Sequence, residues 1–453
     1  MSLAEAAAAI QGRVPGAGAD VSFSGVSTDS RTLARGELFV AIRGDFFDGH
    51  AFLGAAQEHG AAAAVVDEEF AGVGPLPQSG LPLVVADETR RALGRLGRHW
   101  RLRFAPALIA ITGSNGKTTT KEMLAAILRK HAGEAGALAT RGNLNTEIGV
   151  PLTLLRMRAA HRFCAIELGM NHPGEIAMLA AIARPTVALV NNAQREHLEF
   201  MHSVEAVAAE NASVFEALPE DGVAVLNADD PMADIFRARA GKRRRVEFGL
   251  VRGEVTGRYA LKGLQSEIAL KTPRGDARAT LAIPGAHNIM NALAAAACAH
   301  AAGIPPAAIG AGLSEFRPYS GRLQIKTTTG GATLIDDSYN ANPDSVRAAI
   351  DVLASCPGPT VLVLGDMGEV GAQGPEFHAE VGLYAKERGI NDVLTLGNSS
   401  KGTSKAFGGK HFDDLNAIKA SLKGARTVLV KGSRFMKMER LVALLTGEKG
   451  GAH

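Results

Sequence analysis

No run of about 18 consecutive apolar residues occurs in this chain, so the sequence offers no membrane-spanning helix. Residues 1–10 lack a basic cluster ahead of an apolar core, so no secretory leader is read there and a cytoplasmic protein is expected. Cysteine is scarce. Cys164, Cys298 and Cys356 are far apart, odd in number and without metal-ligand spacing. They read as buried free thiols in a reducing compartment. Net charge is also small, +3, which does not call for a nucleic-acid partner. The one tight basic run, Lys242–Arg245, reads as a solvated strand edge. What remains, 46% hydrophobic and 21% charged residues over 453 positions, is a globular protein with room for about three domains.

Apolar patterning divides the chain accordingly. Residues 1–100 begin with an Ala-rich helix, continue through short strands at 37–42, 63–66 and 81–86 and a turn-rich loop over 73–80, and end on a helix through Trp100. Residues 101–320 alternate strands at 107–111, 163–168, 186–190 and 222–226 with helices at 118–131, 174–183 and 203–217. That alternation predicts an α/β unit, a parallel sheet covered by helices. Met123, Leu124, Ile127 and Leu128 form one stripe on the first of these helices. Residues 244–283 change to short alternating runs, read as a small β subdomain, and a helix follows the turn at 285–288. Residues 321–453 form a third α/β unit with strands at 332–336, 359–364, 392–396 and 426–430; the tail from Thr446 is expected to fray.

The most informative stretch is 110–118, AITGSNGKT. An apolar strand, a Gly-rich turn, Lys117, Thr118 and an amphipathic helix form the context of a phosphate-binding loop. Its backbone N–H groups and the helix N-terminus favour anionic oxygens. Lys117 can reach terminal phosphates and Thr118 can ligate Mg²⁺. Ile111 stands where the common loop has its first Gly. Glu167 ends the strand beginning at Phe163, a natural position for a Mg²⁺ ligand, with helix capping as the plainer reading. His197 follows another strand of the same sheet and can serve a metal or phosphate, or nothing. The loop Gly142–Thr146 suits a polar ligand or a local Asx turn. His287, Asn288 and Asn291 suit a base or ribose contact or a helix cap. Asp337–Pro343 suits a ligand site and a capped helix start at once.

Taken in order, Ala110–Thr119, Gly142–Thr146, Ile166–Gly169, Gly285–Asn288, Gly321–Arg322 and Asp337–Pro343 resemble the Mur ligase family of ATP-dependent amide-forming enzymes, over essentially the whole chain. Three further stretches, Leu38–Gly44 with Phe47–His50, Gly365–Glu369 and Lys431–Arg434, are similar to the members acting on D-alanyl-D-alanine. The resemblance implies a first domain holding the uridine end of UDP-N-acetylmuramoyl-tripeptide through Ser27, Asp29, Ser30, Arg31 and Arg43. It implies a central ATP domain with Gly113, Ser114, Asn115, Gly116, Lys117, Thr118 and Thr119 around the nucleotide, and a C-terminal Rossmann-like domain that closes over it. Asn288 would lie near adenine, and Arg322 and Asp337 on ATP. Asn145, Thr146, Asn340, Asn342, Lys431, Ser433 and Arg434 would face the peptide substrates.

The implied chemistry is an acyl phosphate made with ATP and Mg²⁺, then captured by the amine of D-alanyl-D-alanine, by a monomer without nucleic acid or membrane insertion. Lys117, Glu167 and His197 would be catalytic, with Thr118, Glu167 and His197 on metal. The chain departs from the family at one place. Many members carry a carbamylated lysine where Asn211 aligns, and no lysine occurs between Lys130 and Lys242. Asn211 or Glu210 is expected to replace it in part. Alternatives are another ligase of the superfamily, a P-loop switch or motor ATPase, or a nucleotide-binding module without catalysis.

Overall fold

Continuous apolar strands buried on both faces, such as Ala107–Thr112, pair in parallel because helices can then cover each face. The computed structural model describes residues 1–44, 46–72 and 80–448. Its central sheet has six parallel strands. In spatial order they are Arg244–Phe248, Val223–Asn227, Val187–Val190, Ala107–Thr112, Phe163–Glu167 and Ala137–Ala139. The strand carrying the Gly-rich loop is therefore central, and its carboxyl end faces those of Phe163–Glu167 and Val187–Val190. An N-terminal sheet of four parallel strands precedes it, Val26–Ser27, Leu38–Val40, Ala63–Asp67 and Leu83–Ala86. The C-terminal sheet runs Gln324–Thr327, Thr333–Asp337, Thr427–Lys431, Thr360–Gly365, Asp392–Leu396 and Lys410–Phe412, with only the first pair antiparallel. The expected α/β, Rossmann-like architecture is present.

Helix Lys117–Ala132 starts after Gly116, at φ +79°, and stops at Gly133, at φ +77°. Both are glycines where an L side chain is disfavoured. Met123, Leu124, Ile127 and Leu128 are fully buried as the stripe requires, each contributing about 1.5–3 kcal/mol by leaving water. The Ala-rich helix Ala286–Ala301 is buried on nearly every side and packs on Lys117–Ala132 and the central strands, which small side chains permit.

Several expectations need correction. Arg244–Phe248 pairs in parallel with Val223–Asn227, so it belongs to the central sheet; only the meander Thr256–Lys262, Gln265–Thr272 and Gly275–Leu281 is the small antiparallel subdomain. An edge strand with one covered face shows the same alternation as a meander strand, so the pattern could not separate them. Strand 37–42 shortens to Leu38–Val40, and helix 203–217 becomes Val204–Ala212 followed by a 3-10 turn, Ser213–Ala217. Gln324–Thr327 and Lys410–Phe412 were not anticipated. Most of the loop expected at 73–80 and the end of the tail, 449–453, lie outside the described residues. Cys164 and Cys298 are buried and Cys356 half-buried, all free. Burial pushes the Cys164 thiol up to about 12. No helix among the described residues is long and apolar enough to cross a membrane.

One apolar cluster runs without a break from Ile109 and Ile127 through Phe316 and Leu323 to Ile335 and Leu362, so the central and C-terminal sheets share a core. The N-terminal sheet attaches through Leu155, the Arg90–Glu147 ion pair at 2.8 Å, and Trp100 Nε1 donating to Met157 O at 3.0 Å.

Candidate active site

The Gly113–Gly116 loop turns tightly enough that both glycines have positive φ, +133° and +79°. A Cβ at Gly116 would collide with Asn291 Oδ1. Two asparagines past the neighbouring strand pin the loop. Asn115 N donates to Asn192 Oδ1 at 2.8 Å, and Asn191 Nδ2 and Asn192 Nδ2 donate to Asn115 O at 2.8 and 2.9 Å. Lys117 Nζ folds back onto Gly113 O at 2.6 Å, Ser114 O at 2.9 Å and the Glu196 carboxylate at 3.2 Å. This is a cation held in reserve beside the site.

Thr118 Oγ1 donates to Glu167 Oε1 at 3.1 Å, and Asn145 Nδ2 donates to the same oxygen at 2.9 Å. The second oxygen, Oε2, is buried without any partner among the described residues. A buried carboxylate oxygen left bare costs free energy unless something cationic meets it. Hard oxygen donors beside a phosphate loop suit Mg²⁺, which takes one or two protein ligands and completes its shell with water and phosphate. The residues therefore fit that ion. Among the described residues no three His, Cys, Asp or Glu side chains converge as a complete metal cage.

His197 fits it less well. Its backbone is left-handed, φ +52°, its Nδ1 lies 2.6 Å from Glu369 Oε2 and its Nε2 lies 3.5 Å from Glu196 Oε1. The Nδ1 contact has ion-pair distance but not hydrogen-bond direction. Burial disfavours the imidazolium, but Glu196 and Glu369 outweigh it and raise the pKa to about 9. With both nitrogens facing carboxylates, His197 is a cationic tie between the central and C-terminal units rather than a metal ligand in this arrangement.

The C-terminal unit closes the site from the other side. Asn342 caps helix Pro343–Ala354 and its Nδ2 donates to Asn115 Oδ1 at 2.9 Å. Arg322 stacks 4.1 Å over the Tyr339 ring and reaches Thr118 Oγ1 at 3.4 Å. Arg195 pairs with Asp344 at 2.6 Å and Glu380 at 2.8 Å across the junction; hydrogen bonding to Glu380 leads in raising its already high pKa. Together these walls enclose a cavity of about 470 Å³ lined by Ser114–Thr118, Asn145, Thr146, Glu167, His197, Arg322, Asn340, Asn342, Lys431 and Arg434.

Other predicted residues stand outside it. Thr119 is buried in the first helical turn. Asn288 is 2% exposed, with its Nδ2 bonded to Pro284 O at 2.7 Å. It does not reach the cavity; it props Asn291 at 3.0 Å, which in turn accepts from Asn191 at 3.0 Å behind the loop. Asp337 lies under the floor, taking Lys431 Nζ at 2.5 Å and Leu323 N at 3.1 Å. Burial lowers the Lys431 pKa against the opposing pull of Asp337. Ser433 is spent on structure, donating to Ala341 O at 2.9 Å and accepting from Gly368 N at 2.8 Å.

In the N-terminal unit Ser27 and Ser30 flank Asp29, which is paired with the exposed Arg31 at 2.8 Å. Arg43 is taken up by Asp67 and Asp48, both at 3.0 Å, and by Glu69 at 3.5 Å, an intradomain clasp rather than a free anion donor. The expected stand-ins for the carbamate are also elsewhere. Glu210 accepts from Gly174 N and Ile176 N, both at 2.9 Å, at the start of helix Glu175–Ala183. Asn211 is fully buried, accepting from Thr112 Oγ1 at 2.6 Å. Neither lines the cavity. Glu196, Glu369 and Arg195 carry no role in the sequence reading, although Glu369 ends the stretch Gly365–Glu369 singled out there; nothing in the spacing of the sequence ties them to Lys117, His197 or helix Pro343–Ala354.

Three family models match the chain in order: the Mur ligase family, catalytic domain, over residues 22–101; the Mur ligase middle domain, over 111–299; and the Mur ligase, glutamate ligase domain, over 321–434. The chain is 41% identical over 438 residues to the UDP-N-acetylmuramoyl-tripeptide–D-alanyl-D-alanine ligase of Escherichia coli K12, covering 94% of this chain and 95% of that protein. Its likeness to the protein of the same name in Bacillus subtilis 168 is 33%, with 92% of each covered. Among solved structures, a MurF crystal structure from Acinetobacter baumannii superposes with a TM-score of 0.89 at 32% identity, over 98% of both chains. MurF ligase from Thermotoga maritima in complex with ADP superposes at 0.81 and 25% identity, over 95% of this chain and 98% of that one.

Proposed function

Because this chain belongs to the Mur ligase family, we propose that it joins D-alanyl-D-alanine to the free carboxylate of UDP-N-acetylmuramoyl-tripeptide, with ATP converted to ADP and phosphate. The observation that carries the reading is the single cavity in which the phosphate loop faces Asn340, Asn342, Lys431 and Arg434 of the C-terminal unit. A switch ATPase has no use for that second wall.

A carboxylate is a poor acyl donor because its leaving group would be oxide. Its oxygen attacks the γ-phosphorus of ATP, the bond to ADP breaks, and the acyl phosphate carries phosphate as a good leaving group. The amine of the dipeptide adds to the carbonyl, loses a proton, and the tetrahedral intermediate expels phosphate to leave the amide. Two anions must meet in the first step. Lys117 and Arg322 offset their repulsion, and the loop N–H groups cradle the β- and γ-phosphates. Lys117 leaves Glu196 and the loop carbonyls for this work. When bound by Thr118 and Glu167, Mg²⁺ supplies further positive charge to the phosphoryl oxygens. Asn145 and Thr146 orient the acceptor, and Arg434 meets the dipeptide carboxylate beside Lys431, which Asp337 holds at the cavity floor. Ser27, Asp29, Ser30 and Arg31 hold the uridine end. The domains are taken as 1–100, 101–320 and 321–453, the molecule as a cytoplasmic monomer.

The experiment is phosphate release with ATP, UDP-N-acetylmuramoyl-tripeptide and one amine at a time. D-alanyl-D-alanine alone is expected to trigger stoichiometric release; release with glutamate or a diamino acid instead would replace this reading with another ligase of the superfamily.

A carbamate needs a lysine amine, and none lies between Lys130 and Lys242. Turnover is therefore expected to be the same in CO₂-free buffer and in added bicarbonate. A several-fold loss on CO₂ removal, reversed by bicarbonate, would contradict this.

A further inference from the structure

A second cavity, of about 640 Å³, opens beside edge strand Ala137–Ala139, between helix Lys117–Ala132 and residues 156–161. It shares no lining residue with the catalytic cavity. Its walls carry Arg129, Arg141, Arg156 and Arg158 against two lining carboxylates, Glu122 and Glu134; His161 also lines it, but its Nδ1 accepts from Arg158 N at 2.9 Å and burial lowers its pKa, so it adds no charge. Both carboxylates are already engaged. Glu122 pairs with Lys121 at 2.5 Å, and Glu134 with Arg129 at 3.3 Å. The Arg158 guanidinium donates to the backbone carbonyls of Leu155 and Met157, at 2.9 and 2.8 Å, lies 5.8 Å over the Trp100 ring, and meets no carboxylate among the described residues. The side chains of Arg141 and Arg156 make no hydrogen bond or ion pair among the described residues, and Arg156 Nη1 is buried with no partner. Burial, then Arg141 and Arg158, disfavour the Arg156 charge.

The half-buried Arg156 guanidinium, with one buried bare N–H and the exposed Arg141 and Arg158 beside it, carries an uncompensated desolvation cost. An anion with several acceptor oxygens relieves both the repulsion and the orphaned donor, and the planar fork of arginine matches a phosphoryl group. We propose that this cavity is a binding site for a phosphate dianion, free or as the monoester end of a small molecule, separate from the ATP site. The Thr140 wall links it to catalysis. Thr140 O accepts from the fully buried Lys121 at 2.9 Å, and Thr140 Oγ1 accepts from Glu167 N at 3.0 Å.

The probes are inorganic phosphate and ribose 5-phosphate, titrated against the full chain at constant ionic strength in chloride, with thermal unfolding and ³¹P line broadening as readouts. Lys117→Ala serves as a background in which the loop, left with its backbone N–H groups alone, binds phosphate more weakly. Binding is expected to survive Lys117→Ala and to weaken at least tenfold when Arg156→Met is added. The exposed Arg141→Gln gives a second variant should Arg156→Met fold poorly. Tighter binding of ribose 5-phosphate than of phosphate identifies a monoester, and the reverse identifies the free ion. Binding that disappears with Lys117→Ala, or that neither arginine substitution weakens, overturns the proposal.

Discussion

Lys117→Ala is expected to lower kcat for ADP formation by about 10³-fold or more, roughly 4 kcal/mol of transition-state stabilisation, while the protein remains folded. The size follows from charge. Transfer of the γ-phosphoryl group to a carboxylate brings two anions together in a partly buried cavity, where one preorganised ammonium is worth far more than in water. The fold is expected to survive because in the resting protein Lys117 holds, among the described residues, two loop carbonyls and the Glu196 carboxylate. Glutamate and carbonyls at a cavity wall can take water in its place, and the loop itself is pinned by Asn191 and Asn192. The check is single-turnover ADP formation beside a circular dichroism melt. A kcat within tenfold of the parent would remove Lys117 from the phosphates.

Glu167→Gln is expected to lower kcat by about 10²–10³-fold and to raise the Mg²⁺ concentration for half-maximal activity at least tenfold. The substitution is isosteric. The amide oxygen can still accept from Thr118 Oγ1 and Asn145 Nδ2, so the local packing has no reason to change. What changes is the bare oxygen, Oε2, which becomes an NH₂ that cannot ligate a cation. Calorimetric titration of Mg²⁺ into the nucleotide complex separates metal loss from a structural effect. Unchanged metal affinity with reduced kcat would move Glu167 from metal binding to substrate positioning.

The parts of the site that follow one another in the chain were legible before the fold. Strand, glycine turn, Lys117 and Thr118 are contiguous, so local geometry is written in local spacing. Glu167 was legible because a carboxylate at the end of a buried parallel strand must lie at the sheet's carboxyl edge. The counter-charges were not. Glu369 meets His197 from another domain, and no periodicity records that meeting. That pairing also recast His197, which as a lone loop histidine invited a metal role. Asn288 and Ser433 stand in motif positions, yet their amide and hydroxyl are consumed by Pro284 O and by Ala341 O and Gly368 N. Residue type alone does not tell a side chain that meets a ligand from one that builds the wall behind it. Glu210 and Asn211 make the same point: adjacent on one helix, they serve a neighbouring helix N-terminus and a buried threonine.

The central claim is that the cavity activates a carboxylate as an acyl phosphate before amide formation. The measurement is isotope transfer. UDP-N-acetylmuramoyl-tripeptide carrying ¹⁸O in its terminal carboxylate is turned over with ATP and D-alanyl-D-alanine, and the released phosphate is analysed by mass. The account predicts one ¹⁸O delivered to phosphate in each turnover, with the other retained in the new amide. Phosphate released at the full ligation rate but free of ¹⁸O would contradict it.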